Sequence, residues 1–172
     1  MSKILVTGAT GVVGRRLVPI LVSAGHSVVA MPRRSAHRAM LEGMGAATVE
    51  ANLFDAASLR RAAAGCDAIV NLATHMPESS LLLIRRSAWK ENDAIRSYGS
   101  SNLVDAALAE GVGRFVQESF APVYPDRGDR WIDEAVPLRT VRYNRSVRDA
   151  EASAARFTKA GGTGVVLRFA AF

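Results

Sequence analysis

A single cysteine, Cys66, stands in the 172 residues, which excludes a disulfide within the chain. Its setting, AAAGCDAIV, reads as a small buried residue ahead of a strand, and a reducing, cytoplasmic location is expected. Lysine is almost missing as well. Lys3, Lys90 and Lys159 are the only lysines among 22 basic residues, so arginine carries the formal charge of +6. Aromatic residues make up only 6% and do not interleave with the scattered arginines, which argues against a base-stacking nucleic-acid platform. Long apolar runs are also absent: SSLLLI at 79–84 is far too short to span a bilayer. No charged leader with a cleavage site precedes the first apolar run, so a soluble protein without a membrane partner is expected. No His, Cys or carboxylate spacing suits a metal, and no Gly-x-Ser-x-Gly elbow occurs.

What the chain does contain is 49% hydrophobic residues, mainly Val, Leu, Ala and Ile, enough for one globular domain over residues 1–172. The periodicity alternates. KILVT (3–7) predicts a buried strand, and residues 11–25 follow with helical spacing of Val13, Leu17, Ile20 and Leu21, with Pro19 expected to kink them. Strands are then expected at 27–31, 47–51, 67–73, 114–119 and 164–172. Helices are expected at 35–45, 55–65 (capped by Asp55), 86–111 and 139–160, and the proline-bearing segment 120–137 reads as a loop. Strands alternating with helices imply right-handed crossovers. The fold class is therefore α/β: a Rossmann-type doubly wound parallel sheet with helices on both faces.

The first crossover is TGATGVVG (7–14), with Gly8, Gly11 and Gly14 three residues apart between a strand and a helix. Glycine permits a tight turn there and lets main-chain amides approach a pyrophosphate at a helix N-terminus. Gly8, Thr10, Gly11, Val12, Val13 and Gly14 are accordingly candidate cofactor-binding residues.

This fingerprint, G-x-x-G-x-x-G, resembles that of the extended or atypical short-chain dehydrogenase/reductases, the NAD-dependent epimerase/dehydratase family. Further landmarks resemble the family in order. Asn52-Leu53-Phe54-Asp55 resembles the motif that holds adenine, and Asn71-Leu72-Ala73-Thr74 the strand end along the nicotinamide half. Gly99-Ser100-Ser101-Asn102 resembles the start of the G-T-x-N-L helix, and Ser119 through Tyr124 the serine-rich strand end. The resemblance implies cofactor contacts from Asn52, Leu53, Leu72, Ala73 and Thr74. It also implies a C-terminal substrate-binding subdomain that this chain lacks, and a homodimer formed through the two long helices.

An acid at the end of the second strand would favour NAD. Here Pro32 takes that place, and Arg33 and Arg34 follow, with Arg38 a turn further on. A guanidinium can bind a 2′-phosphate with paired hydrogen bonds, so NADP is the expected cofactor and NAD the alternative.

The family's catalytic set is a Tyr, a Lys four residues later on the same helix face, and a Ser. By this resemblance Tyr143 and Ser119 are the candidate catalytic residues. Val147 stands at the Lys position, Phe120 at the Ser position, and Arg96 where the family often has Asn, with Asn92 one turn earlier. His75, at the fourth strand's end, is a possible acid or base near neutral pH. Arg139, Arg142, Arg145 and Arg148 recur every third residue, as a basic helix stripe would. The expected function is that of an NAD(P)-binding oxidoreductase or epimerase-like protein acting at a carbonyl or hydroxyl carbon of a small molecule not named by the sequence. The alternative is a non-catalytic NADP-binding redox sensor or structural module.

Overall fold

In the computed structural model, which describes residues 1–77, 85–141 and 144–170, Ile4, Leu5 and Val6 are all buried in the first strand, β1 (Lys3–Thr7). A strand buried on both faces reads as a continuous apolar run, the pattern of a covered parallel sheet. Its neighbours behave likewise. β2 (Ser27–Met31) and β4 (Ala68–Asn71) pair with it in parallel, β3 (Ala47–Thr48) adds to β2, and β5 (Arg114–Phe120) and β6 (Thr163–Phe169) extend the other side. The order is β3-β2-β1-β4-β5-β6.

Strand alternation divides the core in two. Leu5, Ile69 and Phe115 face one layer, formed by α3 (Ala56–Ala63), α5 (Ser100–Ala109) and α6 (Val147–Lys159), where the Phe115 and Phe157 rings meet at 5.7 Å. Ile4, Val6 and Val70 face the other layer, where α1 (Gly14–Ser23) and α2 (Arg38–Gly43) supply Val18 and Leu41. The direction of winding reverses between β1 and β4. In such sheets the crevice outside the strands' carboxyl ends at that reversal receives the ligand. No helix among the described residues is long and apolar enough to cross a membrane.

Several expected bounds change. α1 begins at Gly14 rather than at residue 11 and runs on through Pro19. The second helix shrinks to a 3₁₀ turn (Ser35–His37) followed by α2. β3, an edge strand, keeps only two residues in register with Val29 and Ala30. The stretch expected as one helix from 86 to 111 is a 3₁₀ turn (Arg86–Trp89), α4 (Lys90–Ala94), a π segment (Ile95–Gly99) and α5. Asp55 caps α3 as expected, its carboxylate accepting from the amide of Ala57 at 3.0 Å.

The largest correction is at residues 139–160, where helix begins only at Val147. Asn144 holds the preceding chain in another shape. Its Oδ1 accepts from the amide of Val141 at 2.7 Å, its Nδ2 donates to the carbonyl of Pro122 at 3.3 Å, and the amide of Arg139 donates to the carbonyl of Val123 at 2.7 Å. Local side-chain bonds of this kind compete with helix. The basic stripe is therefore not a helix face: Arg139 and Arg145 precede α6, Arg148 lies within it, and Arg142 falls outside the described residues. Tyr143 falls outside them too, as does the stretch 79–84.

Candidate functional site

The glycine turn sits at the β1 carboxyl end, facing the reversal. Gly8 adopts φ 65°, and a Cβ on it would lie 2.3 Å from the carbonyl oxygen of Leu72. A Cβ on Gly14 would lie 2.4 Å from the Gly8 oxygen. Both positions therefore require glycine for the chain's own packing. Gly11 differs. It is exposed, and an added Cβ would meet only the Gly8 oxygen, at 3.2 Å.

The turn closes through the Gly11 amide donating to the Gly8 carbonyl at 3.0 Å, and α1 starts as Arg15 donates to Gly11 at 3.0 Å. Val13, at the α1 N-cap, makes no side-chain cap bond, and the first turn carries no acid. The amides of Thr10, Val12 and Val13 donate to no other group among the described residues. An uncapped helix start with bare amides and an exposed glycine is a surface suited to an anion such as a pyrophosphate. Thr10 and Val13 are half-buried beside it, and Val12 is 56% exposed.

The walls come from the next strand ends. Leu72 donates its amide to the Thr7 carbonyl at 3.2 Å, and Ala73 donates to Asn71 Oδ1 at 3.3 Å. Beneath them lies a buried polar network. Thr7 Oγ1 donates to Asn71 Oδ1 at 2.5 Å, and Asn71 Nδ2 donates to Gln117 Oε1 at 2.9 Å and Ser100 Oγ at 3.2 Å. Three adjacent strands and α5 are thereby fixed where the crevice opens. On the side of β2 and β3, Asn52 Oδ1 accepts from the Phe54 amide at 2.9 Å, and the Leu53 carbonyl accepts from Asn102 at 2.8 Å. The half-buried Thr74 follows β4.

Arg33 and Arg34 are exposed beyond β2. Arg33 reaches across to the loop after β4: Nη1 lies 3.0 Å from His75 Nδ1, and 3.9 Å from Glu91, whose other oxygen is 3.6 Å from His75 Nε2. Arg38 is taken up by Glu50 at 2.6 Å. Nothing in the sequence announces the Arg33–His75–Glu91 group, because its members come from three separate elements.

Of the candidate catalytic residues, Ser119 lies among the described residues and Tyr143 outside them. Ser119 is fully buried, its hydroxyl donating to Glu151 at 2.6 Å. Glu151 in turn holds Arg168 through two contacts, at 2.8 and 2.9 Å, and Arg168 donates to the Tyr124 hydroxyl. Val147 is fully buried at the start of α6. A second polar pair was also missed by sequence reading: Arg96, 1% exposed, donates through Nη2 to Glu118 Oε1 at 2.7 Å, with its guanidinium carbon 6.0 Å from the Phe120 ring centre. Burial pushes the Glu118 carboxyl up, and the charge of Arg96 pulls the other way without cancelling it.

The family model described as NAD(P)H-binding matches residues 8–162. The chain is similar to the 2-alkyl-3-oxoalkanoate reductase of Stenotrophomonas maltophilia, 32% identical over 120 residues, covering 68% of this chain and 33% of the reductase. A short-chain dehydrogenase/reductase superfamily protein from Agrobacterium tumefaciens, solved with bound NAD, is 31% identical at a TM-score of 0.74, over 97% of this chain and 48% of that one. The dTDP-glucose 4,6-dehydratase DesIV from Streptomyces venezuelae, also solved with NAD, gives 26% identity and a TM-score of 0.79, over 96% of this chain and 55% of that one. The chain thus spans between a third and just over half of these relatives. Open amides at the first crossover, the strand order and the matched residues lead to one placement: the chain belongs to the NAD(P)H-binding family, within the short-chain dehydrogenase/reductase and NAD-dependent epimerase/dehydratase superfamily.

Proposed function

We propose that this chain binds NADP(H) across the β1–β4 reversal and belongs to a protein that oxidises, reduces or epimerises a small molecule at a carbonyl or hydroxyl carbon. The observation that carries the reading is the uncapped N-terminus of α1, with exposed Gly11 and the bare amides of Thr10, Val12 and Val13. A diphosphate satisfies those donors at the end of the helix dipole where negative charge is favoured. Leu53 and Asn52 border the adenine side, and Leu72, Ala73 and Thr74 the nicotinamide side. NADP is favoured over NAD because exposed Arg33 and Arg34 follow β2 with no acid between Ser27 and Arg34 to engage a ribose.

When bound, the nicotinamide supplies the hydride chemistry. This chain's own residues hold and orient it. Ser119 keeps Glu151 and Arg168 in place behind β5, and Tyr143 is the candidate proton donor at the substrate oxygen. Titration of the protein with NADPH and NADH tests the binding step; no binding of either at millimolar concentration sinks it.

A second reading is favoured by Val147, fully buried where the resemblance expects a charged lysine. On that reading the chain holds NADP as a sensor or structural module. A turnover screen with NADPH against mixed aldehydes and ketones, beside Tyr143→Phe, separates the two. Turnover lost in the variant supports the enzyme, and binding without turnover supports the module.

A further inference from the structure

Arg33 follows β2 and His75 follows β4, and these two strands flank β1 on opposite sides. The 3.0 Å contact between Arg33 Nη1 and His75 Nδ1 therefore spans the carboxyl end of β1, where the chain enters the Gly8 turn. Glu91 on α4 completes the group, 3.6 Å from His75 Nε2 and 3.9 Å from Arg33 Nη1. The backbone of His75 is fixed separately, its amide donating to Asn92 Oδ1 at 3.0 Å. Among the described residues no other charged side chain pairs with any of the three. The group is a closed set of one cation, one anion and one titratable ring.

Chemistry fixes the roles within it. A guanidinium only donates, so His75 Nδ1 accepts from Arg33 and the ring's single proton lies on Nε2, toward Glu91. Only the neutral imidazole permits this. A second proton, on Nδ1, sets two donors and two positive charges face to face at that 3.0 Å contact. Arg33 must then leave, while the imidazolium keeps Glu91 as an ion pair. The side chains of Arg33 and Glu91 are each 55% exposed and that of His75 29%, so they have room to part. An imidazole ordinarily changes charge between about pH 5 and pH 8.

We infer that His75 is a specificity-determining residue, whose protonation releases Arg33 to the 2′-phosphate of NADP(H) and adds a second positive charge beside it. This rests on the proposed dinucleotide binding, with Arg33 as the phosphate's partner. NADH carries a hydroxyl at that carbon and gains little from either charge. Preference for NADPH over NADH therefore rises as the pH falls. By linkage, NADPH in turn draws a proton onto His75. Solvent reaches all three side chains, which keeps the effect modest.

Fluorescence titration of NADPH and NADH at pH 8.0 and pH 6.5 tests this. The 2′-phosphate takes up its own second proton near about pH 6, which works in the opposite direction and sets the lower limit of the range. In the unmodified protein the ratio of NADPH to NADH affinity is expected to rise about three- to fivefold on acidification. In His75→Gln, which keeps a polar side chain that does not titrate, the ratio stays level or falls. Calorimetry at pH 7 in buffers of different protonation enthalpy reads the same link directly. About a third of a proton should be taken up per NADPH and none per NADH, and His75→Gln should abolish the uptake. Circular dichroism checks the fold of the variant. A ratio independent of pH in the unmodified protein, or one rising equally in His75→Gln, overturns this assignment alone. Binding of NADH only overturns the choice of NADP together with it, and binding of neither overturns the cofactor reading as a whole.

Discussion

Ser119 on β5 and Arg168 on β6 both hydrogen-bond to the same oxygen of Glu151, at 2.6 and 2.8 Å, so two neighbouring strands and α6 are tied by one carboxylate. Burial alone would raise the Glu151 carboxyl. The hydrogen bonds from Arg168 and Ser119, with the Arg168 charge, outweigh it and hold the group below its usual 4.5. A folded value below the unfolded one gives stability that is complete above about pH 4.5 and is lost as the pH falls through the folded value. Glu151→Gln is expected to destabilise by about 3 kcal/mol at pH 7, by leaving Arg168 partly unpaired, and by progressively less in acid. Urea unfolding at pH 7 and pH 3.5 checks this, and an equal loss at both would refute it. Ser119→Ala, which leaves both Arg168 contacts in place, should lose only about 1 kcal/mol and leave dinucleotide affinity unchanged.

Glu118 has the opposite linkage. Its carboxyl is raised by burial, so the folded state holds the proton more tightly than the unfolded chain and stability declines as the pH rises from 4.5 through the folded value. Glu118→Gln, neutral throughout, is expected to flatten that decline. Thermal unfolding of both proteins between pH 4.5 and 7.5 decides it, since parallel curves would mean that Glu118 titrates normally in the fold.

The three glycines of the first crossover separate into two roles. Gly14→Ala places a Cβ 2.4 Å from the Gly8 oxygen and should unfold the crossover or lower the melting temperature by about 10 °C. Gly11→Val puts bulk on an exposed position with only one contact at 3.2 Å. Its melting temperature should hold within about 3 °C while NADPH affinity falls about tenfold or more. Retained affinity in Gly11→Val would remove the pyrophosphate from the turn.

Asn144, 1% exposed, bonds to Val141 and to Pro122 and so decides where α6 begins. Asn144→Ala removes both bonds, leaving the Pro122 carbonyl without that donor, and is expected to cost about 1–3 kcal/mol. It should also hasten proteolysis between residues 125 and 141, which mass spectrometry of the fragments would locate. Cleavage at the unmodified rate would mean that the segment is held by other contacts.

These residues also mark how far the sequence could be read. Strand positions, both faces of the core and the glycine turn follow from period and from residue type, because Leu5 and Val6, or Ile69 and Val70, sort by alternation alone. The α6 start did not follow, since the bonds of Asn144 reach 22 residues back to Pro122 and leave no local period. Nor did the Arg96–Glu118 pair, which forms between elements 22 residues apart, or Arg33 with His75, 42 apart. In each case a polar group is satisfied by a partner that only the crossover topology brings near. Ser119 is the clearest example. It is a candidate catalytic residue by resemblance, and its hydroxyl bonds to Glu151 on α6, 32 residues further along the chain.

Arg33 offers the sharpest test of cofactor choice. Its guanidinium lies beside His75 at 3.0 Å and Glu91 at 3.9 Å, and all three side chains are partly open to solvent. A 2′-phosphate competes well with such partners, because two negative charges and three acceptor oxygens outbid one imidazole nitrogen and a distant carboxylate. Arg33→Ala is therefore expected to weaken NADPH about tenfold or more and to leave NADH nearly unchanged. Glu91→Gln removes the competing charge and should strengthen NADPH by about two- to threefold without altering NADH. Because Glu91 is exposed, that gain should shrink in 0.5 M salt, whereas the Arg33→Ala loss persists. Fluorescence titration of both reduced cofactors at low and high salt reads all three effects. Equal losses for NADPH and NADH in Arg33→Ala would place Arg33 on a group that both cofactors share and would remove the argument for NADP.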